Sequence, residues 1–69
     1  MTNTEELNRL IDESGYKRKY LAERLGLTPY GMAKKINNLS EFTSSEIAGL
    51  CELLGITSLK EKERIFFAC

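Results

Sequence analysis

The chain has no histidine, no tryptophan, only two cysteines and no net charge. Each scarcity excludes something. Without histidine there is no Cys/His zinc site. Two cysteines, Cys51 and Cys69, do not make a disulfide framework. Cys51 falls on the apolar face of an expected helix and reads as a small buried hydrophobe. There is no glycine-rich phosphate loop and no nucleophile motif. The carboxylates stand at helix starts or beside basic residues, where they cap and solvate. A core this small rarely encloses a substrate cavity. Neither an enzyme nor a cofactor or metal site is expected. No apolar run approaches the roughly 20 residues that span a membrane. The opening "MTNTEEL" is acidic and polar, unlike a secretion signal. The expectation is one small soluble domain over residues 1–69, cytoplasmic and without a membrane partner.

What is present is clear punctuation. Three times a glycine precedes an apolar residue: Gly15-Tyr16, Gly26-Leu27 and Gly55-Ile56. This pattern marks a helix ending in a left-handed glycine, with the next residue folding back onto the last turn. The expected contacts are Ile11 with Tyr16, Ala22 with Leu27 and Cys51 with Ile56. Thr43-Ser-Ser-Glu46 and Ser58-Leu-Lys-Glu61 read as capping boxes. Thr28-Pro29 puts a capping hydroxyl before a proline at the first helical position. Five helices are expected, over about residues 4–14, 18–25, 29–37, 44–54 and 59–67, and no stretch alternates like a strand. The class is therefore all-α. Leu21, Leu25, Met32, Ile36, Ile47, Leu50 and Leu54 are expected to be buried together, because helices this short are marginal alone.

The charge is uneven. Residues 1–15 carry one basic and four acidic side chains, residues 16–38 six and one, and residues 39–69 three and five. The basic stretch, "KRKYLAERLGLTPYGMAKKINN", holds two clusters, Lys17-Arg18-Lys19 and Lys34-Lys35, around a glycine turn. On a wheel of the third helix, Pro29, Met32 and Ile36 share the packing side. Tyr30, Lys34, Asn37 and Asn38 face the other way, with Ala33 and Lys35 on the flanks. The outward set can donate to base edges and phosphates. A helix ending at Gly26, a short turn and a capped helix make helix-turn-helix spacing, whose second helix enters the major groove. The start of the second helix would meet the phosphate backbone with Lys17, Arg18, Lys19 and its free amides. The two clusters then straddle the groove.

At this point the sequence resembles the Cro/CI-like, or XRE-type, helix-turn-helix domains of phage repressors and bacterial regulators. The carriers are "YLAERLGLTPYGMAKKINN" and "EFTSSEIAGLCELLGI". The marks in the first are Leu21-Ala22, Gly26, Leu27, Met32 and Ile36-Asn37. The resemblance implies a compact five-helix lambda-repressor-like fold with the helix-turn-helix in helices two and three. It also implies double-stranded operator DNA as partner. Pro29, Tyr30 and Lys34 occupy base-reading positions. Arg18 sits where a side chain grips phosphate, and Asn37, Asn38 and Ser40 lie near the other strand's backbone. Lys17, Lys19, Thr28 and Lys35 complete the expected backbone set. Some relatives join helices one and three by a buried Arg–Glu pair; the matching positions here are Ile11 and Ile36. A chain of this length is expected to hold no separate oligomerisation or self-cleaving domain. That favours a Cro-like repressor, in a lysis–lysogeny type of switch, over a full-length repressor.

The net-neutral charge keeps a rival open: a module that binds a partner repressor through the same scaffold. The fifth helix ends in Ile65-Phe66-Phe67. Adjacent residues do not share a helix face. With Leu59 and Phe66 turned to the core, at least one of Ile65 and Phe67 is expected to point outward. Phe42, Ile65 and Phe67 thus form the expected homodimer or partner surface.

Overall fold

Four of the five helices begin under a side-chain cap. The computed structural model describes residues 1–68, so Cys69 lies outside it. The helices are α1 (Thr4–Ser14), α2 (Arg18–Arg24), α3 (Pro29–Ile36), α4 (Ser44–Leu54) and α5 (Leu59–Phe66). Asn3 Oδ1 accepts from Glu6 N at 3.2 Å, and Thr28 Oγ1 from Gly31 N at 3.0 Å. At α4 the full capping box forms: Thr43 Oγ1 accepts from Glu46 N, while Glu46 Oε1 accepts from Thr43 N at 2.9 Å. At α5 only half of the expected box is present, Glu61 N donating to Ser58 Oγ at 3.4 Å. Helix α2 starts after Lys17 without a side-chain cap.

Gly15, Gly26 and Gly55 all end helices with φ between 72° and 79°. Two of the three expected closures form in the backbone. Leu27 N donates to Ala22 O, and Ile56 N to Cys51 O, both at 2.8 Å. The third differs. Ser14 Oγ donates to Ile11 O at 2.6 Å and accepts from Tyr16 N at 3.1 Å, so a hydroxyl stands between the two backbones. Tyr16 stacks instead on Tyr20, ring centroids 5.3 Å apart.

The core draws on every helix: Leu7 and Ile11, Leu21 and Ala22, Met32 and Ile36, Ile47, Leu50 and Cys51, Ile65 and Phe66, with Ile56 from the connection. Ile11 and Ile36 are both buried in this core. Leu25 and Leu54, expected inside, lie at the rim and are only partly buried. Leu25 still presses on α4, where a Cβ at Gly49 would stand 3.0 Å from its Cδ2. Leu59 also departs from expectation, at 69% exposed. Ile65 is fully buried, so the inward arc of α5 runs from Ile65 to Phe66 and leaves Leu59 at its edge in the first turn. Cys51 is buried, and burial pushes its thiol above the ordinary value despite nearby Lys62. Among the described residues no helix is long and apolar enough to cross a membrane.

Candidate nucleic-acid interface

The turn between α2 and α3 is set by three local features. The αL Gly26 ends α2, the fully buried Ala22 leaves room in the bundle, and the Thr28 cap with Pro29 starts α3. The inner side of α3 is fixed by Met32 and Ile36, 1% and 3% exposed. That burial turns Tyr30 outward, where it is 75% exposed. Lys34 Nζ lies 5.7 Å from the centroid of the Tyr30 ring, one turn along the same face. Pro29, expected on the packing side with Met32 and Ile36, is instead exposed with Thr28 at the start of this face, and Asn37 is exposed at its end. Asn37 Nδ2 donates back to Ala33 O at 3.0 Å. The side-chain oxygen and the second Nδ2 hydrogen remain as the groups it can offer outward.

Beside this face runs a shallow groove of about 250 Å³, lined by Asn8, Arg18, Pro29, Met32, Ala33 and Asn37 among others. Arg18 is clamped at its edge. Its Nη1 donates to Asp12 Oδ1 at 3.1 Å and its Nη2 to Asn8 Oδ1 at 2.9 Å. Lys17 and Lys19 flank it and are exposed. Arg24 lies 5.9 Å from the centroid of Tyr20 and donates to its hydroxyl.

Three expected site residues are held within the chain by contacts the sequence does not show. Lys35 was expected to face phosphate. Its Nζ lies 2.5 Å from Glu46 Oε1, and both side chains are about one-seventh exposed. Desolvation raises the Glu46 carboxyl, but Lys35 and the Thr43 N–H outweigh it and hold that carboxyl below its ordinary value. Asn38 adopts the left-handed conformation expected of it, φ 63°. Its amide, however, is engaged within the chain: Oδ1 accepts from Thr2 N and Nδ2 donates to Thr2 O, both at 2.8 Å. Ile65, expected at an outer surface, is in the core. Phe42 is half-buried, edge-on to Phe66 at 5.7 Å, and Phe67 is 56% exposed. Ser40 is exposed on the loop before α4.

Sequence reasoning missed the residues that hold these side chains: Asn8 and Asp12 for Arg18, Glu46 for Lys35, and Thr2 for Asn38. Only Glu46 carried a signal, its capping box. The other pairings join separate segments and leave no periodic trace.

The family model for the Cro/C1-type HTH DNA-binding domain matches residues 6–61, most of the chain, from the first turn of α1 into α5. The chain belongs to this family. No individual curated protein and no solved structure matches it at a significant level. As a Cro/C1-type domain the chain is a DNA-binding regulator, and α2 and α3 are its helix-turn-helix.

Proposed function

We propose that residues 1–69 act as one helix-turn-helix domain: a Cro-like repressor of phage or prophage origin in a lysis–lysogeny type of switch, occupying an operator and blocking polymerase there. Pro29, Tyr30 and Lys34 read base edges in the major groove. Lys17, Arg18, Lys19, Thr28, Asn37 and Ser40 contact the backbone. The observation that carries this reading is the outer face of α3. Tyr30 stands out, with half-buried Lys34 one turn along, from a helix whose other side is buried, beside a row of three exposed cations on a chain with no net charge. A local patch of this kind suits sequence-specific rather than indiscriminate binding.

With Lys35 paired to Glu46, three to four phosphates are neutralised per chain. The logarithm of the binding constant should then fall with the logarithm of salt concentration at a slope of about −3. A mobility-shift titration at several salt concentrations, on duplexes the protein selects from a random pool, tests this. Steep salt dependence with selection of one sequence supports the repressor. A slope near zero replaces it with the partner-binding module.

A second observation favours a homodimer on DNA. Phe67 and Met1 are 56% and 71% exposed, and both line a recess with Phe42 at the end of α5. A two-fold contact there fits an inverted repeat with half-sites about 34 Å apart.

A further inference from the structure

The C-terminal end of α3 is held from outside the helix-turn-helix. Helix α3 has eight residues, and its last turn carries Lys34. Such ends leave carbonyls without intrahelical partners. Here Thr4 Oγ1 donates to Ile36 O at 2.6 Å. One residue past the cap, Asn38 pairs both atoms of its amide with the backbone of Thr2. The second Nδ2 hydrogen points toward Thr4 Oγ1, 3.4 Å away. An Asn side chain offers one carbonyl and two N–H donors. All three are engaged within the chain, although the residue is exposed, so a phosphate contact would have to displace them.

The segment that receives them is itself anchored. Thr2 is 8% exposed. Asn3 N donates to Ile65 O at 2.6 Å, and Met1 O accepts from Ala68 N at 2.8 Å. Residues 1–4 therefore form a strap with the end of α5 on one side and the exit of α3 on the other. The entry of α3 is fixed by Thr28, its middle by Met32, and its last turn by Ile36 and the Lys35–Glu46 pair. The strap adds a further fixture at the exit of that turn, which carries Lys34 and leads into Asn37.

We infer that Asn38, Thr2 and Thr4 are positioning residues for DNA reading: the strap sets the pose of the last turn of α3 and touches no DNA itself. This rests on the reading of α3 as the base-reading helix. Recognition groups must be held within about 0.5 Å of their productive geometry, and the exit of so short a helix frays more readily once its cap is removed. The strap thus contributes to discrimination between sequences, not to general affinity.

The test uses two variants that keep the backbone. Asn38→Gly accepts the left-handed conformation and removes the amide. Thr4→Val is nearly isosteric and removes the donor to Ile36 O. Affinity is measured at 10 °C, with folding checked by circular dichroism, on the duplex wild type selects best from a randomised 20-base-pair pool and on poly(dI-dC). Each variant should weaken the selected duplex about 5- to 20-fold, the scale of one or two lost hydrogen bonds. Binding to poly(dI-dC) should stay within about twofold with the salt slope unchanged, since no phosphate contact is removed. The double variant should be little worse than the weaker single one, because both act on one turn. The proposal is overturned if Asn38→Gly weakens both DNAs alike and lowers the slope by about one, the signature of a phosphate contact. It is equally overturned if melting falls while the selected duplex binds as before. If wild type selects no duplex, the base-reading role of α3 fails and the strap's role fails with it. If wild type selects one and the variants match it, only the strap falls.

Discussion

Lys35 and Glu46 meet at 2.5 Å, so the second lysine of α3 is bound to α4 and not offered to solvent. The same Glu46 oxygen accepts from Thr43 N, which makes one carboxylate both the start of α4 and its link to α3. The folded-state pKa of Glu46 is depressed below its ordinary value of 4.5. A depressed carboxylate stabilises the fold above its unfolded pKa, and that contribution is lost as pH falls through the folded value. Stability should therefore drop as pH goes below about 4.5, and Glu46→Gln should flatten this acid limb. Lys35→Met should cost about 1–2 kcal/mol at neutral pH, since Glu46 keeps its Thr43 bond and the site is partly wet. Urea melts from pH 3 to 7 check both. A Lys35→Met protein that keeps full stability but loses a unit of salt slope would return Lys35 to the phosphate set.

Tyr30 and Lys34 should separate sequences. Replacing either with alanine should cost about 1–3 kcal/mol on the selected duplex and little on random DNA. Competition titrations with both DNAs measure the ratio. Equal losses on the two would make Lys34 a phosphate contact.

Arg18 should behave as a phosphate contact restrained by Asp12. Arg18→Ala should weaken all sequences alike and reduce the salt slope by about one unit. Asp12→Asn should do the reverse, tightening all DNA by about two- to fivefold at low salt, the scale of an exposed ion pair. Fluorescence anisotropy at two salt concentrations distinguishes the two directions. Unchanged affinity in both variants would place Arg18 outside the interface.

Ile65 and Phe67 should have opposite roles despite standing two residues apart. Ile65→Ala should cost about 2–5 kcal/mol, because the side chain is fully buried. Phe67→Ser should barely move the melting temperature and should abolish any two-fold contact. Analytical ultracentrifugation with and without the selected duplex reads the second effect. If wild type and Phe67→Ser bind DNA alike with one chain per duplex, the homodimer is lost.

The helices were legible because their signals are local. Thr28-Pro29, Thr43 with Glu46, and the three glycines each act within five residues, and every helix begins at its expected residue. The outward face of α3 was legible for the same reason, from the burial of Met32 and Ile36. What could not be read was partnership across space. Lys35 looks like Lys34 in the sequence, and only the approach of α4 gives it a carboxylate. Asn38 announced its left-handed backbone but not its pairing with Thr2, 36 residues away. The edge of the core escaped too: which of Leu59 and Ile65 goes inside depends on how α5 rolls against α1, and a wheel drawn from α5 alone cannot set that roll.

The strap ties residues 1–3 to the exit of α5, Asn3 to Ile65 and Met1 to Ala68. Segments at the margin of a domain usually fray first and independently. Here residues 1–4 cannot lift without giving up those bonds together with the contacts to Ile36 and Asn38. Order in the first residues and order at the outer face of α3 are therefore linked, so thermal melting watched at the first residues and at Tyr30 should follow a single curve.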